Sequence, residues 1–196
     1  MPTHDSGSRN AADVALMRVI AAGDRDALGV FYDRHASAVM GLCVRILTNR
    51  NEAEETVADI FVELWERSGT FDPQRGSPLA YLMNLARSRA IDRLRHRRRH
   101  TDALAEVAAT QHRPNRSEDA VAFGCAIHGE RRAIVRKALD VLDARERRVV
   151  ELSFFQGLTH REIAAALEEP IGTVKTRIRR GLIRLREELR ALEDAL

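Results

Sequence analysis

Five carboxylates lie at helical spacing between residues 52 and 66, and no basic residue interrupts them: Glu52, Glu55, Asp59, Glu63 and Glu66. At 100° per residue they fall within an arc of about 80° on one side of a helix. Like charges one turn apart repel, at roughly a few tenths of a kcal/mol per pair. Because no cation within the segment offsets this repulsion, the stripe predicts a docking surface for a basic partner.

A basic cluster follows this acidic one. On a helix over 78–99, Tyr81, Ser88 and Asp92 project away from the apolar side, together with several guanidinium groups. Exposed rings stack on bases and guanidiniums bind phosphates, so this face is suited to single-stranded nucleic acid. The arginines of the cluster are Arg87, Arg89, Arg93, Arg95, Arg97, Arg98 and Arg99.

The C-terminal segment has the pattern of a helix-turn-helix. Thr159 and Glu162 form a capping box before a short helix, and Pro170 opens a longer helix after a tight turn. The apolar residues of the longer helix share an arc of about 80°, which predicts its packing side. They are Val174, Ile178, Leu182, Leu185 and Leu189. Polar residues lie outside or beside that arc, as reading base edges in a major groove requires. They are Lys175, Thr176, Arg177, Arg179 and Arg180.

Helices are the elements that must position these groups. Apolar residues recur at three- and four-residue spacing without alternating strand patterns, so we predict an all-α fold. We expect two small helical domains, over 11–99 and 126–196, joined by a flexible linker over 100–125 and preceded by a disordered tail over 1–10. The predicted helices span residues 11–22, 24–47, 52–67, 78–99, 129–141, 144–155, 160–168 and 171–193.

Capping residues define several of the predicted helix starts. Asn51 precedes the acidic helix, and Ser77 precedes the basic one with Pro78 in its first turn. Asp143 with Glu146 fits a capping box at the start of the helix before the helix-turn-helix turn.

Composition excludes several classes of protein. The chain has 196 residues, a formal net charge of +3 and two cysteines, which argues against a secreted disulfide scaffold. No apolar run approaches the ~20 residues of a membrane-spanning helix, and residues 1–10 lack the apolar region of a signal peptide, so we expect a cytoplasmic protein. Without a phosphate-binding loop, HExxH or paired CxxC, we expect no enzymatic activity, cofactor or metal. We interpret Cys43 as a core residue and the spacing of Cys125 and His128 as accidental; a Cys43–Cys125 redox switch is a remote alternative.

Taken together, these segments resemble the bacterial sigma factors of the extracytoplasmic-function (ECF) group, over about residues 11–192. "NEAEETVADIFVELWERSGTFDP" resembles the segment of the family's region 2 that binds core RNA polymerase. "SPLAYLMNLARSRAIDRLRHRRR" is similar to the segment that melts and reads the −10 element. "LDARERRVVELSFFQGLTHREIAAALEEPIGTVKTRIRRGLIRLREEL" resembles region 4, which reads the −35 element.

The resemblance implies a role for each surface. The acidic helix would bind the clamp coiled coil of the largest subunit of core RNA polymerase through Glu55, Asp59, Phe61, Val62, Glu63, Trp65 and Glu66. The −10 element would be bound by Asp72, Tyr81, Arg87, Ser88, Arg89, Asp92 and Arg95. The −35 element would be bound by Lys175, Thr176, Arg177, Arg179 and Arg180. Tyr81 stands where many members carry Trp and Ser88 where many carry Asn, a departure that bears on base preference. The family also implies an anti-sigma partner.

Two other interpretations remain open on the sequence. "LTHREIAAAL" and "TVKTR" also resemble LuxR-type helix-turn-helix output domains, which usually follow a sensory or receiver domain. An α/β receiver needs alternating strands and helices, and residues 1–120 show none. The second alternative is an arginine-rich nucleoid or RNA-binding protein without polymerase affinity, against which the acidic helix and its Trp65 argue.

Overall fold

The computed structural model describes residues 5–107 and 140–194, and every regular element within these two ranges is helical. The chain divides into two compact units, Met1–Gly124 and Cys125–Leu196. The prediction of an all-α fold is therefore confirmed for the part of the chain that is described.

The first unit is built from four helices, with two short 3-10 turns between the third and the fourth. Its core forms where α2 packs against both α3 and α4, and α1 closes one side. The helices are α1 (Asp5–Ala21), α2 (Arg25–Leu47), α3 (Arg50–Arg67) and α4 (Pro78–Val107), and the 3-10 turns are Ser68–Thr70 and Pro73–Arg75.

The core of the first unit consists of large side chains from every helix set against small residues of α4. Ala86 and Ala90 are fully buried, and the absence of longer side chains there lets α4 lie close to its neighbours. Each large aliphatic or aromatic side chain buried in such a core contributes about 1.5–3 kcal/mol. The large residues with at most 1% exposure are Met17, Ile20, Phe31, Val39, Leu47, Ile60, Leu64 and Leu82.

Two helix boundaries of the first unit differ from the predictions. Helix α1 begins at Asp5, so the prediction of a disordered tail over 1–10 is wrong for residues 5–10. Helix α4 continues to Val107, so the linker predicted over 100–125 is helical over 100–107, and its remainder lies outside the described residues. Extending an existing helix adds one hydrogen bond per residue without a new nucleation cost, and neither extension contains proline.

The start of α3 also differs from its prediction. Asn49, not Asn51, is the N-cap, and its side chain accepts a hydrogen bond from the Glu52 backbone N–H at 3.2 Å. Both asparagines can cap a helix; the preceding residue Thr48, in a left-handed conformation with φ 57°, ends α2 and turns the chain so that Asn49 arrives first.

The second unit consists of three described helices in a helix-turn-helix arrangement. Both predicted capping boxes are present, Asp143 with Glu146 and Thr159 with Glu162. The helix predicted over 129–141 lies outside the described residues except for positions 140 and 141. The described helices are α5 (Ala144–Phe154), α6 (His160–Leu167) and α7 (Ile171–Asp194). Their shared core contains Val149, Leu152, Ile163, Val174 and Ile178.

The packing side of α7 is shifted relative to the prediction. Leu182 was expected to face the core but is 52% exposed, whereas Gly181 is buried against α5. A Cβ at Gly181 would lie 3.2 Å from Cγ2 of Val150. At 100° per residue, Gly181 lies about 20° from Val174 and Leu182 about 80° away, so Leu182 is at the edge of the predicted arc.

Candidate partner and nucleic-acid interfaces

The acidic face of α3 and the basic face of α4 are not separate surfaces, because the two helices lie side by side with their charges paired. The predicted stripe contains no cation of its own, but arginines from outside it offset the repulsion between its carboxylates. The arginines come from the neighbouring helix, which a single-helix pattern cannot reveal. The pairs between the helices are Arg89 with Glu63, Arg93 with Glu55 and Asp59, and Arg97 with Glu52.

Glu63 is the most enclosed of these carboxylates, with a side chain only 14% exposed. It accepts hydrogen bonds from Arg89 of α4 and from Arg67, whose Nη1 lies 2.7 Å away on the same helix. The hydrogen bond from Arg89 lowers the pKa of Glu63 to about 2, and Glu63 in turn raises the pKa of Arg89. Both groups therefore stay charged across the physiological pH range.

Part of the acidic face stays open to a partner. The side chain of Asp59 is 75% exposed and that of Glu55 is 66% exposed, and Glu66 is exposed as well. Val62 between them is 57% exposed, while Trp65 is half-buried. This part of α3 combines an apolar residue with carboxylates and can bind a basic surface that carries its own apolar contact.

Phe61 corrects the predicted set of partner-binding residues. It is only 5% exposed, and its ring packs on Tyr32 of α2 with 4.7 Å between the ring centroids. Direct contact with a partner does not fit this burial, and Phe61 instead supports α3 from beneath. Tyr32 is 44% exposed and was missed, although an aromatic residue on a polar stretch of α2 was the signal for it.

An aromatic pair stands at the start of α4. Tyr81 was expected to be exposed but is half-buried, because its ring meets Phe71 edge-on at a centroid distance of 5.7 Å. The Tyr81 hydroxyl lies 3.5 Å from Oγ1 of Thr70. Phe71 was not predicted, since it precedes the loop and belongs to no helical pattern. The pair gives this end of α4 a ring surface on which a base can stack.

The loop between α3 and α4 is shaped by side chains that cap its turns. Asp72 accepts a hydrogen bond from the Gln74 backbone N–H at 2.9 Å, and Ser77 accepts one from the Ala80 backbone N–H at 3.2 Å. Gly76 has φ 146°, a conformation that side-chain-bearing residues rarely adopt. The predicted site residue Asp72 therefore also holds the loop in place.

Further along α4, the predicted nucleic-acid residues are unequal in exposure. Ser88, Asp92 and Arg95 are exposed, as predicted. Arg87 is half-buried, and burial together with the charge of Arg95 lowers the pKa of Arg87. Arg89 is 44% exposed, although it pairs with Glu63.

In the second unit, the predicted DNA-reading residues divide into two groups. Lys175, Thr176 and Arg179 are exposed on α7. Arg177 is less available to a ligand, since its side chain is only 19% exposed and pairs with Glu169 in the turn before the helix. This pairing lowers the pKa of Glu169 and raises that of Arg177.

Glu146 is a buried carboxylate that anchors the reading helix and that the sequence indicated only as a cap. Its side chain is 2% exposed; Oε2 lies 2.9 Å from Nη1 of Arg184, and Oε1 lies 3.9 Å from Nε of Arg180. Both arginines belong to α7, so one carboxylate of α5 fixes the rotation of that helix. Arg180 remains 64% exposed and can still reach a ligand.

Residues 5–107 and 140–194 contain no group of three or more His, Cys, Asp or Glu that could hold a metal ion. None of the helices in these ranges is long and apolar enough to cross a bilayer. Cys43 is fully buried, and burial raises the pKa of its thiol to about 12, which makes it a poor nucleophile. Cys125 and His128 lie outside the described residues.

The fold and these surfaces define a two-unit helical protein with a helix-turn-helix for DNA. Residues 31–100 match the Sigma-70 region 2 family, and residues 138–187 match Sigma-70 region 4. The chain is 37% identical over 177 residues to the ECF RNA polymerase sigma factor SigK of Mycobacterium ulcerans, covering 90% of this chain and 93% of that protein. It is 36% identical over 172 residues to SigK of Mycobacterium bovis, covering 88% and 90%.

Among solved structures, Rhodobacter sphaeroides SigE in complex with the anti-sigma ChrR is similar, with 30% identity, a TM-score of 0.44, and coverage of 89% of this chain and 96% of that one. The chain belongs to the ECF sigma factors. It therefore acts with RNA polymerase in promoter-directed transcription initiation. The LuxR-type and nucleoid-protein interpretations are wrong, because the first unit matches Sigma-70 region 2.

Proposed function

We propose that the open part of the acidic face of α3 binds the clamp coiled coil of core RNA polymerase. The exposed residues Glu55, Asp59, Val62 and Glu66 would make the contacts, with half-buried Trp65 at the edge. Glu63 would contribute through its charge, because Arg67 and Arg89 already bind its oxygens. The observation that carries the proposal is this exposed mixture of carboxylates and Val62 within the segment matching region 2.

Charge reversal tests this assignment. Asp59→Arg should weaken the affinity for core polymerase at least about tenfold, since it replaces an attraction with a like-charge contact. Asp33→Arg on α2 is the matched control, because Asp33 is exposed and lies outside the proposed surface. Fluorescence-detected titration of labelled core measures both affinities. Equal losses in the two variants would contradict the assignment, and no binding by the wild-type chain would contradict the polymerase-binding role itself.

We propose that the start of α4 and the preceding loop bind the −10 element as single-stranded DNA. Tyr81 with its partner Phe71 would stack a base, and the capped loop at Asp72 would enclose another. The exposed residues Ser88, Asp92 and Arg95 would face the strand, with Arg87 and Arg89 beside them. Base preference would depend on Ser88, which offers one hydroxyl for hydrogen bonding.

We propose that α7 reads the −35 element in the major groove. Lys175, Thr176 and Arg179 are exposed along it, and Arg180 extends from its anchor on Glu146. Arg177 would act by fixing the turn through Glu169 rather than by reading a base. This assignment follows from the exposure of each side chain on the helix of the region 4 match.

The remaining expectations stay predictions for this chain. We expect it to work in the cytoplasm, where RNA polymerase acts, and to catalyse no reaction of its own. An anti-sigma partner is also expected. A pull-down of a candidate anti-sigma protein, by the wild-type chain and by the Asp59→Arg variant in parallel, would test whether such a partner shares the polymerase-binding surface.

A further inference from the structure

Helices α5 and α7 lie against each other beside the residues proposed to read DNA. A Cβ at Gly181 would lie 3.6 Å from Cβ of Glu146, so the Glu146 carboxylate begins directly against α7. Arg180 and Arg184 stand one turn apart on α7, and both reach this carboxylate. Its Oε2 lies 2.9 Å from Nη1 of Arg184, and its Oε1 lies 3.9 Å from Nε of Arg180. One buried acid of α5 therefore contacts a stripe of the reading helix.

The two arginines differ in what they can still offer to a ligand. Arg184 donates a hydrogen bond to Glu146 and is 42% exposed. Arg180 is 64% exposed and meets the carboxylate at ion-pair distance, through Nε. The terminal nitrogens of its guanidinium remain for O6 and N7 of a guanine, which arginine commonly binds with two nitrogens. Arg180 can therefore be held by Glu146 and bind a base at the same time.

Glu146 is itself fixed, as a group that positions another must be. Its side chain is 2% exposed, and the Asp143 backbone N–H lies 3.4 Å from its Oε2 in the capping box. A long arginine side chain loses rotamer freedom when it binds, and a contact already formed in the free protein reduces that loss. A fixed carboxylate therefore makes it easier to place the Arg180 guanidinium on one base.

The same carboxylate also opposes binding that does not depend on sequence. Phosphates attract a guanidinium on any DNA. A negative charge 3.9 Å from Nε of Arg180 weakens that attraction. A base contact depends on the orientation of the guanidinium, whereas a phosphate contact depends mainly on its charge. Glu146 therefore favours a base over a phosphate as the ligand of Arg180 in two ways.

We infer that Glu146 is a positioning residue that sets the base preference of Arg180 in the −35 element, an inference that rests on the proposed function of α7. The carboxylate orients the guanidinium and weakens its attraction for phosphate. A purely structural residue would behave differently, because its loss would lower the affinity for every DNA sequence. Loss of this carboxylate should lower discrimination at one base pair and raise the affinity for other DNA.

The test uses holoenzyme reconstituted with the full chain and promoter duplexes randomised across the upstream element. Sequencing of the bound duplexes gives the preference at each base pair, and Arg180→Ala identifies the base pair that Arg180 reads. Glu146→Gln is the main variant: its amide oxygen can still accept from the Asp143 N–H, while its NH2 group cannot accept from Arg180. Glu151→Gln is the matched control, since it removes the same charge from α5, where Glu151 pairs with Arg147 of the same helix.

We expect Glu146→Gln to reduce discrimination at the Arg180 base pair about three- to tenfold, because the guanidinium must be ordered on binding. Its affinity for duplexes without the element should rise up to about threefold, because one opposing charge is gone. Other positions, and all positions in Glu151→Gln, should keep their preferences within about twofold. In an Arg180→Ala background, Glu146→Gln should change the preference at that base pair less than about twofold, since no guanidinium remains to be positioned.

Unchanged discrimination at that base pair in Glu146→Gln would overturn the inference. An equal loss of affinity for all sequences, or a loss of preference spread over every position, would overturn it as well and indicate a displaced α7. If Arg180→Ala alters no base pair, the proposed reading role of Arg180 fails first.

A second variant keeps the test decisive if circular dichroism shows that Glu146→Gln is unfolded. Glu146→Asp retains the charge but withdraws it from Arg180 by one methylene group. It should reduce discrimination at the same base pair about two- to fivefold. Full discrimination by a folded Glu146→Asp variant, with Glu146→Gln unfolded, would assign Glu146 a structural role only.

Discussion

Each unit holds one carboxylate between two arginines, but the two arrangements differ in burial and in what they join. Glu63 is 14% exposed and joins α3 to α4 at a surface where we propose that both helices bind partners. Glu146 is 2% exposed and ties α7 to the core of its own unit. A carboxylate between two arginines can therefore form an exchangeable contact near the surface or a fixed contact in the interior of a unit.

The difference follows from what happens to each charge when a pair opens. Near the surface, water and a charged partner can replace the lost contact, so exchange costs little. A buried carboxylate has no such replacement, and leaving it unpaired is costly. The comparison predicts a large stability effect at Glu146 and a small one at Glu63.

The largest effect is expected for Glu146→Ala. It removes the capping-box acceptor and the charged hydrogen bond to Arg184, which together contribute about 2–4 kcal/mol to the second unit. Unfolding by urea followed by circular dichroism should show a destabilised second unit, while Trp65 fluorescence, which reports on the first unit, should not shift. Glu146→Gln keeps the acceptor and should lose less. A loss below about 0.5 kcal/mol for the alanine variant would break the comparison.

Arg179→Ala tests whether the exposed residues of α7 read sequence. Losing one base contact should cost about 1–3 kcal/mol on the preferred upstream element and little on other DNA. Arg186→Ala removes the same charge from an exposed position further along α7 and should weaken all DNA sequences alike. Competition binding of holoenzyme to promoter variants measures the preference. An equal loss of affinity for all DNA sequences in Arg179→Ala would contradict a base-reading role for Arg179.

Glu63→Gln should destabilise the first unit by at most about 1 kcal/mol at neutral pH, because its arginine partners are about half exposed and water screens the pairs. The ordinary pKa of Glu63, 4.5, falls to about 2 in the folded chain. A lowered pKa means that the stabilisation is complete above pH 4.5 and is lost as the pH falls towards 2. The stability difference between wild type and Glu63→Gln, followed by Trp65 fluorescence, should therefore shrink over that window. A difference that grows on acidification would contradict the pairing.

The smallest effect is expected when, in each unit, a residue in the left-handed backbone conformation is replaced by glycine. Thr48 and Glu168 are the non-glycine residues with positive φ in the described ranges, at 57° and 53°. Glycine relieves the strain of this conformation but loses more entropy on folding, so we expect each substitution to stabilise its own unit by about 0.5–1 kcal/mol. Thr48→Gly should shift the Trp65 transition, and Glu168→Gly should shift only the transition seen by circular dichroism. Destabilisation by Glu168→Gly would show that its side chain has another role.

Local features could be predicted from the sequence, and tertiary ones could not. The capping boxes at Asp143 and Thr159 are set by residues three apart, and both are confirmed. The pairs that Arg89, Arg93 and Arg97 form with carboxylates of α3 join residues 26 to 45 positions apart, so no helical pattern could reveal them. The expectation that Phe61 contacts a partner did not fit for a related reason. The apolar side of α3 was correctly identified, but only the tertiary position of Tyr32 shows that the Phe61 ring is covered.

Gly181 of α7 lies directly against α5, and its lack of a side chain allows the two helices to pack closely. A Cβ at this position would lie 3.2 Å from Cγ2 of Val150, so either the Val150 side chain or the gap between the two helices would have to change by a few tenths of an ångström. The angle at which α7 leaves its support would change with that gap. A single carbon at this position could therefore re-aim the whole reading helix in evolution or in engineering, without altering any side chain that faces a promoter.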